Sequence, residues 1–301
     1  MINLISPYEC PIPGFYSSDD IIYRYHSCNR PNLYFINKDK TLSEDEQNFI
    51  ENKNQLYLGI ELEFDSRIRE VGFRNNKINL IHSSNQIFGN NTFAYYMNDG
   101  SLSHGLELIT QPATYEVHEE ILDKYTEVFN MIKEHGFKSD SYSTCGLHIH
   151  FNRNYFDDNP DLYTINLLYL TEKFWKDLVL MSRRNYDRLT RWANKYSDEP
   201  QKIVDDMKHN RYYHCDRYKA INLTNENTIE FRIYRGTLVP EFFMAILELT
   251  RNMIIFAKTR TPEELQSLDF MSLITSERLK KYYNLCHRKS ALNKLPDFLK
   301  E

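Results

Sequence analysis

The sequence predicts an α+β fold, in which one antiparallel β-sheet carries helices on its apolar side and chemistry on the other. Two patterns lead to this. Short segments such as Gly59-Ile60-Glu61-Leu62-Glu63-Phe64 alternate apolar and charged side chains with a period of two. Longer segments between them, such as Thr114–His135, repeat apolar residues at helical spacing. At 301 residues with 41% hydrophobic content, the chain can bury the core of one large domain or two intimate ones.

Residues 1–40 are rich in Pro, Tyr, Asn and Asp, and are read as an irregular arm. Ser43-Glu44-Asp45-Glu46 has the form of a capping box and opens a short helix to about Asn52. The 57–65 strand follows. A helix is expected around Ile78–Phe88 and a strand at Phe93–Met97, then the turn Asn98-Asp99-Gly100-Ser101 leads to a strand at Leu106–Thr110. Thr114–His135 reads as one amphipathic helix stopped by Gly136, Cys145–Asn152 as a strand, and Asp161–Met181 as a second helix. Arg183–Tyr196 reads as a helix with Arg184, Arg188, Arg191 and Lys195 on one basic face. That face is either solvated or a mouth for phosphate or carboxylate ligands. Tyr218–Leu223 and Thr228–Arg235 form a hairpin across Thr224-Asn225-Glu226-Asn227. A helix runs from Pro240 to about Lys258, Thr261-Pro262-Glu263-Glu264 starts a shorter one, and a helical tail follows. The expected organisation is an arm and short helix over 1–56, a catalytic domain over 57–260 and a helical extension over 261–301.

The formal net charge of −5 supplies no basic field for nucleic acid, and 26% charged residues fit a soluble protein. No apolar run approaches the roughly 18 residues of a membrane span. The start lacks the basic and apolar regions of a signal peptide, and five cysteines show no tight pairing. A cytoplasmic setting is expected. Cys10, His26 and Cys28 offer three zinc ligands where a structural site needs four.

The charged residues of the strands are more telling. Glu61 and Glu63 share one strand face, His148 and His150 another, Glu230 and Arg232 a third; Glu107 sits on the strand after the Asp99 turn, and Asn222 on the one before Glu230. Glu61 and Glu63 lie about 7 Å apart along their strand and repel each other unless water or a cation intervenes. Glu and His together suit Mg²⁺ or Mn²⁺, with Zn²⁺ an alternative. Arg232 and Arg235 bring forked donors for phosphate or carboxylate. Cation-bridged phosphate uses all of these groups at once. No Gly-rich phosphate loop is present, so metals and side chains would have to hold the phosphate.

The order GIELEFD, DGSL-xx-GLELITQP, CGLHIHFN and TIEFRIYRGTL resembles the amidoligase family of the glutamine synthetase and glutamate–cysteine ligase-like superfamily. The resemblance spans roughly residues 57–260. It implies a curved antiparallel sheet like the glutamine synthetase catalytic domain, with ATP and divalent cations, usually Mg²⁺, on its face. It further implies that Glu61, His148 and Glu230 hold the cation bridging the ATP phosphates. Glu63, Glu107 and Asp99 would hold a cation nearer the substrates. His150 and Arg235 would approach the phosphates, Arg232 would handle the substrate carboxylate or the moving phosphoryl group, and Ser101 and Asn222 would face substrate. The chain lacks glutamine synthetase's recognisable amino-terminal domain and ammonium-site signature, which argues against glutamate and ammonia as substrates.

The expected activity is therefore an ATP- and Mg²⁺-dependent carboxylate–amine ligase, forming an amide through an acyl phosphate. Its partners would be small molecules or peptides carrying a carboxylate and an amine. Alternatives are a zinc hydrolase using His148 and His150, a non-catalytic nucleotide- or peptide-binding module on the same fold, and a thiol enzyme using Cys145.

Overall fold

The structure is a computed structural model that describes residues 23–24, 55–66, 73–88, 93–140, 144–196, 217–225, 228–288 and 295–296. The helix expected at 43–52 and the Cys10, His26 and Cys28 group lie outside the described residues. The fold is α+β. Its contacts divide it into two units, Met1–Leu147 with Gly236–Pro240, and His148–Arg235 with Glu241–Glu301.

The first unit contains β1 (Tyr23–Arg24), β2 (Leu58–Phe64), α1 (Phe73–Ile87), β3 (Ala94–Asn98), β4 (Leu106–Thr110), α2 (Tyr115–Glu120) and α3 (Leu122–Glu134). Its strands lie in the order β1-β3-β4-β2. β4 pairs antiparallel with β2 and β3, whereas β1 pairs parallel with β3, a departure from the all-antiparallel expectation. The period of two puts Ile60, Leu62, Phe64, Leu106, Leu108 and Tyr96 on one face, all buried. Phe64 meets Phe137 edge-on at 5.3 Å, and the Tyr96 hydroxyl donates to Ser84 Oγ of α1 at 2.6 Å. Each such buried side chain contributes roughly 1.5–3 kcal/mol.

His118 of α2 is also buried in this layer. Its Nε2 lies 2.9 Å from the Leu58 carbonyl, and its Nδ1 lies 2.8 Å from the Tyr125 hydroxyl. A carbonyl only accepts, so Nε2 holds the proton and Nδ1 accepts from Tyr125. Burial pushes the His118 pKa down to about 4 and the Tyr125 hydroxyl well up.

Two helix expectations need correction here. The Thr114–His135 segment is not one helix: Ile121, at φ −96° and ψ 19°, separates α2 from α3, although its N–H still donates to Val117 O. The helix expected from Ile78 begins five residues earlier, at Phe73.

β5 (Gly146–Asn152) starts in the first unit and continues into the second at His148. The second unit adds α4 (Pro160–Lys173), α5 (Trp175–Ser182), α6 (Tyr186–Trp192), β6 (Ile221–Asn222), β7 (Thr228–Arg235), α7 (Pro240–Thr259), α8 (Pro262–Ser267) and α9 (Glu277–Cys286). Its strands follow the order β5-β7-β6, with Asn222 opposite Glu230. The 161–181 helix divides at Phe174, whose ring packs edge-on against Phe270 at 5.3 Å. Buried Glu248 of α7 accepts from Thr275 Oγ1 at 2.9 Å and Ser276 Oγ at 2.6 Å, which ties the chain entering α9 to α7. α8 starts after Thr261, as the sequence predicts, and Thr261 completes a capping box with Glu264.

The basic stripe of 183–196 does not form. Only Arg188 and Arg191 fall within α6. Arg183 adopts a left-handed conformation that ends α5, and Arg184 Nε donates to the Tyr234 carbonyl at 3.0 Å. The strand expected at 218–223 shortens to two residues, because Lys219 makes only an isolated parallel bridge with Asn194. Among the described residues, no helix is long and apolar enough to cross a membrane.

Candidate functional site

In the first unit, register brings the acidic residues together. Glu63 of β2 lies directly opposite Glu107 of β4, and Glu61 lies opposite Ile109. Directly paired like charges destabilise a sheet unless something relieves them. One oxygen each from Glu63, Asp99 and Glu107 lies within 4.8 Å of the others, close enough to share one cation. Gly146 N donates to Glu63 Oε2 at 2.5 Å.

This set is buried. Glu61 and Glu63 are each 5% exposed and Glu107 is 2% exposed. The cause lies in the same register, which puts Tyr95 opposite Ile109 and Met97 opposite Glu107. Tyr95, Met97 and Ile109 form a buried apolar cluster on the carboxylate face.

Two glycines hold β2 in place. A Cβ at Gly105 would run into the carbonyl oxygen of Phe64. A Cβ at Gly236 would strike Ser139 Oγ and reach 3.1 Å from the Glu63 carbonyl oxygen. Ser139 Oγ itself donates to that carbonyl at 2.6 Å.

Asp99 caps its own turn, with Oδ1 accepting from Ser101 N at 2.5 Å. Ser101 is exposed, and the contact that joins it to Asp99 is made by its backbone N–H. Gln111, just after β4, is a residue that sequence reasoning missed. It is 1% exposed, and neither side-chain amide atom has a hydrogen-bond partner among the described residues. A buried amide of this kind calls for a ligand or an ordered water.

In the second unit, Glu230 is the hub. Its Oε1 accepts from Arg232 Nη1 at 2.5 Å, and lies 3.6 Å from His148 Nδ1 and 3.9 Å from His150 Nε2. Its Oε2 accepts from Asn222 Nδ2 at 2.7 Å and from Asn225 Nδ2 at 3.3 Å. Asn222 Oδ1 accepts in turn from the Thr224 amide and hydroxyl, and His150 Nδ1 lies 3.1 Å from Thr228 Oγ1. A carboxylate offers about four lone-pair directions. Three hydrogen bonds to Glu230 are seen here, and both histidines approach the oxygen that Arg232 contacts. Arg232 Nε is buried with no hydrogen-bond partner among the described residues, so this guanidinium has a donor beyond its contact with Glu230.

Asn222 is thus a partner of Glu230. Asn225 and Thr228 were not singled out in the sequence, although the ends of a hairpin beside a charged strand were the place to look. Arg235 lines a cavity with Arg183 and Arg184. Cys145 is buried, with Sγ 4.0 Å from the Lys138 carbonyl oxygen. No group of mutually close ligand atoms among the described residues contains both His148 and His150.

The α+β fold with buried carboxylates on its strands defines a candidate metal-dependent enzyme. A family model described as a putative amidoligase enzyme matches residues 38–253. The chain belongs to this amidoligase family. No curated protein matches it.

Proposed function

We propose that this protein is an ATP- and Mg²⁺-dependent carboxylate–amine ligase that forms an amide bond through an acyl phosphate. The observation that carries the reading is the buried pair Glu63 and Glu107, directly opposed and joined by Asp99. An all-oxygen, anionic donor set fits a hard divalent cation, and Mn²⁺ can replace Mg²⁺ there. Family membership supports ligase chemistry and ATP use.

In this reading Glu63, Glu107 and Asp99 would hold one cation, with Glu61 on the same strand face as a further ligand, and His148 and Glu230 of the second unit would serve another. Cations bound there would supply charge neutralisation for the phosphate oxygens. A substrate carboxylate oxygen attacks the γ-phosphorus of ATP, the bond to the bridging oxygen breaks, and ADP leaves. The acyl phosphate then has a good leaving group in place of oxide. An amine nitrogen attacks the acyl carbon, phosphate departs, and the nitrogen loses its proton to Asp99 or Glu107. Arg232 offsets charge on the moving phosphoryl group, and Glu230 with Asn222 and Asn225 sets its orientation. His150 and Arg235 approach the phosphates, with Ser101 and Asn222 on the substrate side.

The substrates are small molecules or peptides with a free carboxylate and a free amine, and the reaction belongs in the cytoplasm, where ATP is supplied. A zinc hydrolase built on His148 and His150 would leave Glu63, Glu107 and Arg232 without a role.

The test incubates the protein with Mg-ATP and a metabolite extract and searches by mass for products one water lighter than a reactant pair, with ADP released. Glu61→Gln and Glu230→Gln should each abolish ATP consumption while the far-UV spectrum stays native. Turnover at the wild-type rate in either variant, or product without ATP, would overturn the assignment.

A further inference from the structure

The second unit contains a cavity of about 730 Å³, of whose lining the ligase reading uses Arg235 alone. Arg183, Arg184, Arg235 and Arg288 line it, against one carboxylate, Asp187. The rest of the wall is largely apolar and includes Leu180 and Leu295. Cys286 also faces the cavity, and burial pushes its thiol up to about 11, so it adds no negative charge at neutral pH.

The arginines are positioned by local structure. Arg183 is the one described non-glycine residue with positive φ, at 56°, a conformation that side chains larger than Asn seldom adopt. Its guanidinium lies 5.3 Å over the Phe242 ring. Arg184 is held by the Tyr234 carbonyl at 3.0 Å. Arg235 closes β7, roughly 10 Å along the strand from Arg232.

We propose that this cavity binds an organic oxyanion, a carboxylate or phosphate group carried on an apolar body. Guanidinium forks match either group with two parallel hydrogen bonds. The volume is that of a small-molecule pocket, and its apolar wall covers the body of the ligand. Neither a cation nor turnover enters its definition, and Arg235 is the one residue it shares with the ligase reading.

Calorimetric titration of the full chain in EDTA tests it, with inorganic phosphate, ADP and N-acetyl-leucine as probes. We expect ADP or N-acetyl-leucine to bind one to one and more tightly than phosphate, the better of the two identifying the preferred oxyanion. Arg183→Gln and Arg288→Gln should each weaken that binding at least tenfold. Arg288 is exposed, so its variant carries the test if Arg183→Gln fails to fold. Absence of saturable binding by both organic anions, or unchanged affinity in the folded variants, overturns the proposal.

Discussion

Glu107 and His118 are both buried in the first unit, and they give opposite predictions. Glu107 faces Glu63, so Glu107→Gln removes a like-charge pair and should stabilise the cation-free protein by up to about 1 kcal/mol. With excess Mn²⁺ the order should reverse, because a bound ligand stabilises the wild type by mass action. Thermal melts in EDTA and in Mn²⁺ read both effects; a lower melting temperature of the variant in EDTA would contradict the account. His118 titrates at about 4 in the folded protein, below its usual 6.5, because burial disfavours the charged ring. The unfolded chain therefore takes up the proton first. Stability from this residue is complete above pH 6.5 and is lost as pH falls toward 4, by about 3 kcal/mol. Urea unfolding at pH 7.5 and 4.5 should show a smaller pH-dependent loss in His118→Phe than in the wild type, and equal losses would refute the assignment. Alternation along the strands made the grouping of Glu61 with Glu63, and of Glu230 with Arg232, legible in the sequence. It says which residues share a face and nothing about what covers that face. The burial of the carboxylates beside Tyr95, Met97 and Ile109 follows from cross-strand register, which local pattern does not encode.

At the scale of elements, β2 is fixed by close backbone approach as much as by its apolar face. Gly105→Ala sets a Cβ against the backbone oxygen of Phe64, and no side-chain change can relieve it. Gly236→Ala meets the Ser139 hydroxyl first. Each should cost at least about 2 kcal/mol. Adding Ser139→Ala should recover part of the Gly236→Ala loss and none of the Gly105→Ala loss, as double-mutant cycles of denaturant unfolding would show. A rescue of both, or of neither, would mean that the two contacts are not what they look like. Most strand positions, the Asp99 turn and the helix start after Thr261 were readable because short-range chemistry sets them. The helix breaks at Ile121 and Phe174 were not, since helical periodicity continues through both and Phe174 turns to meet Phe270 far along the chain. The basic stripe failed for a similar reason. Spacing of 4, 3 and 4 describes a face only where a helix exists, and Arg183 ends one helix before Asn185 caps the next.

For the whole molecule, family and fold class were readable from four motifs in order, and the family match over residues 38–253 agrees with them. The motifs encode the charged strand faces on which the ligase chemistry rests. They do not encode the cavity of Arg183, Arg184, Arg235 and Arg288, which draws on residues from separate parts of the chain. The central claim is that the buried acidic set holds a divalent cation for phosphoryl transfer. The most direct measurement is Mn²⁺ binding followed by electron paramagnetic resonance, on the wild type, Glu63→Gln and Glu107→Gln. The account predicts saturable binding by the wild type and a loss of affinity of at least tenfold in each folded variant. No binding by the wild type, or the same affinity in all three proteins, would contradict it.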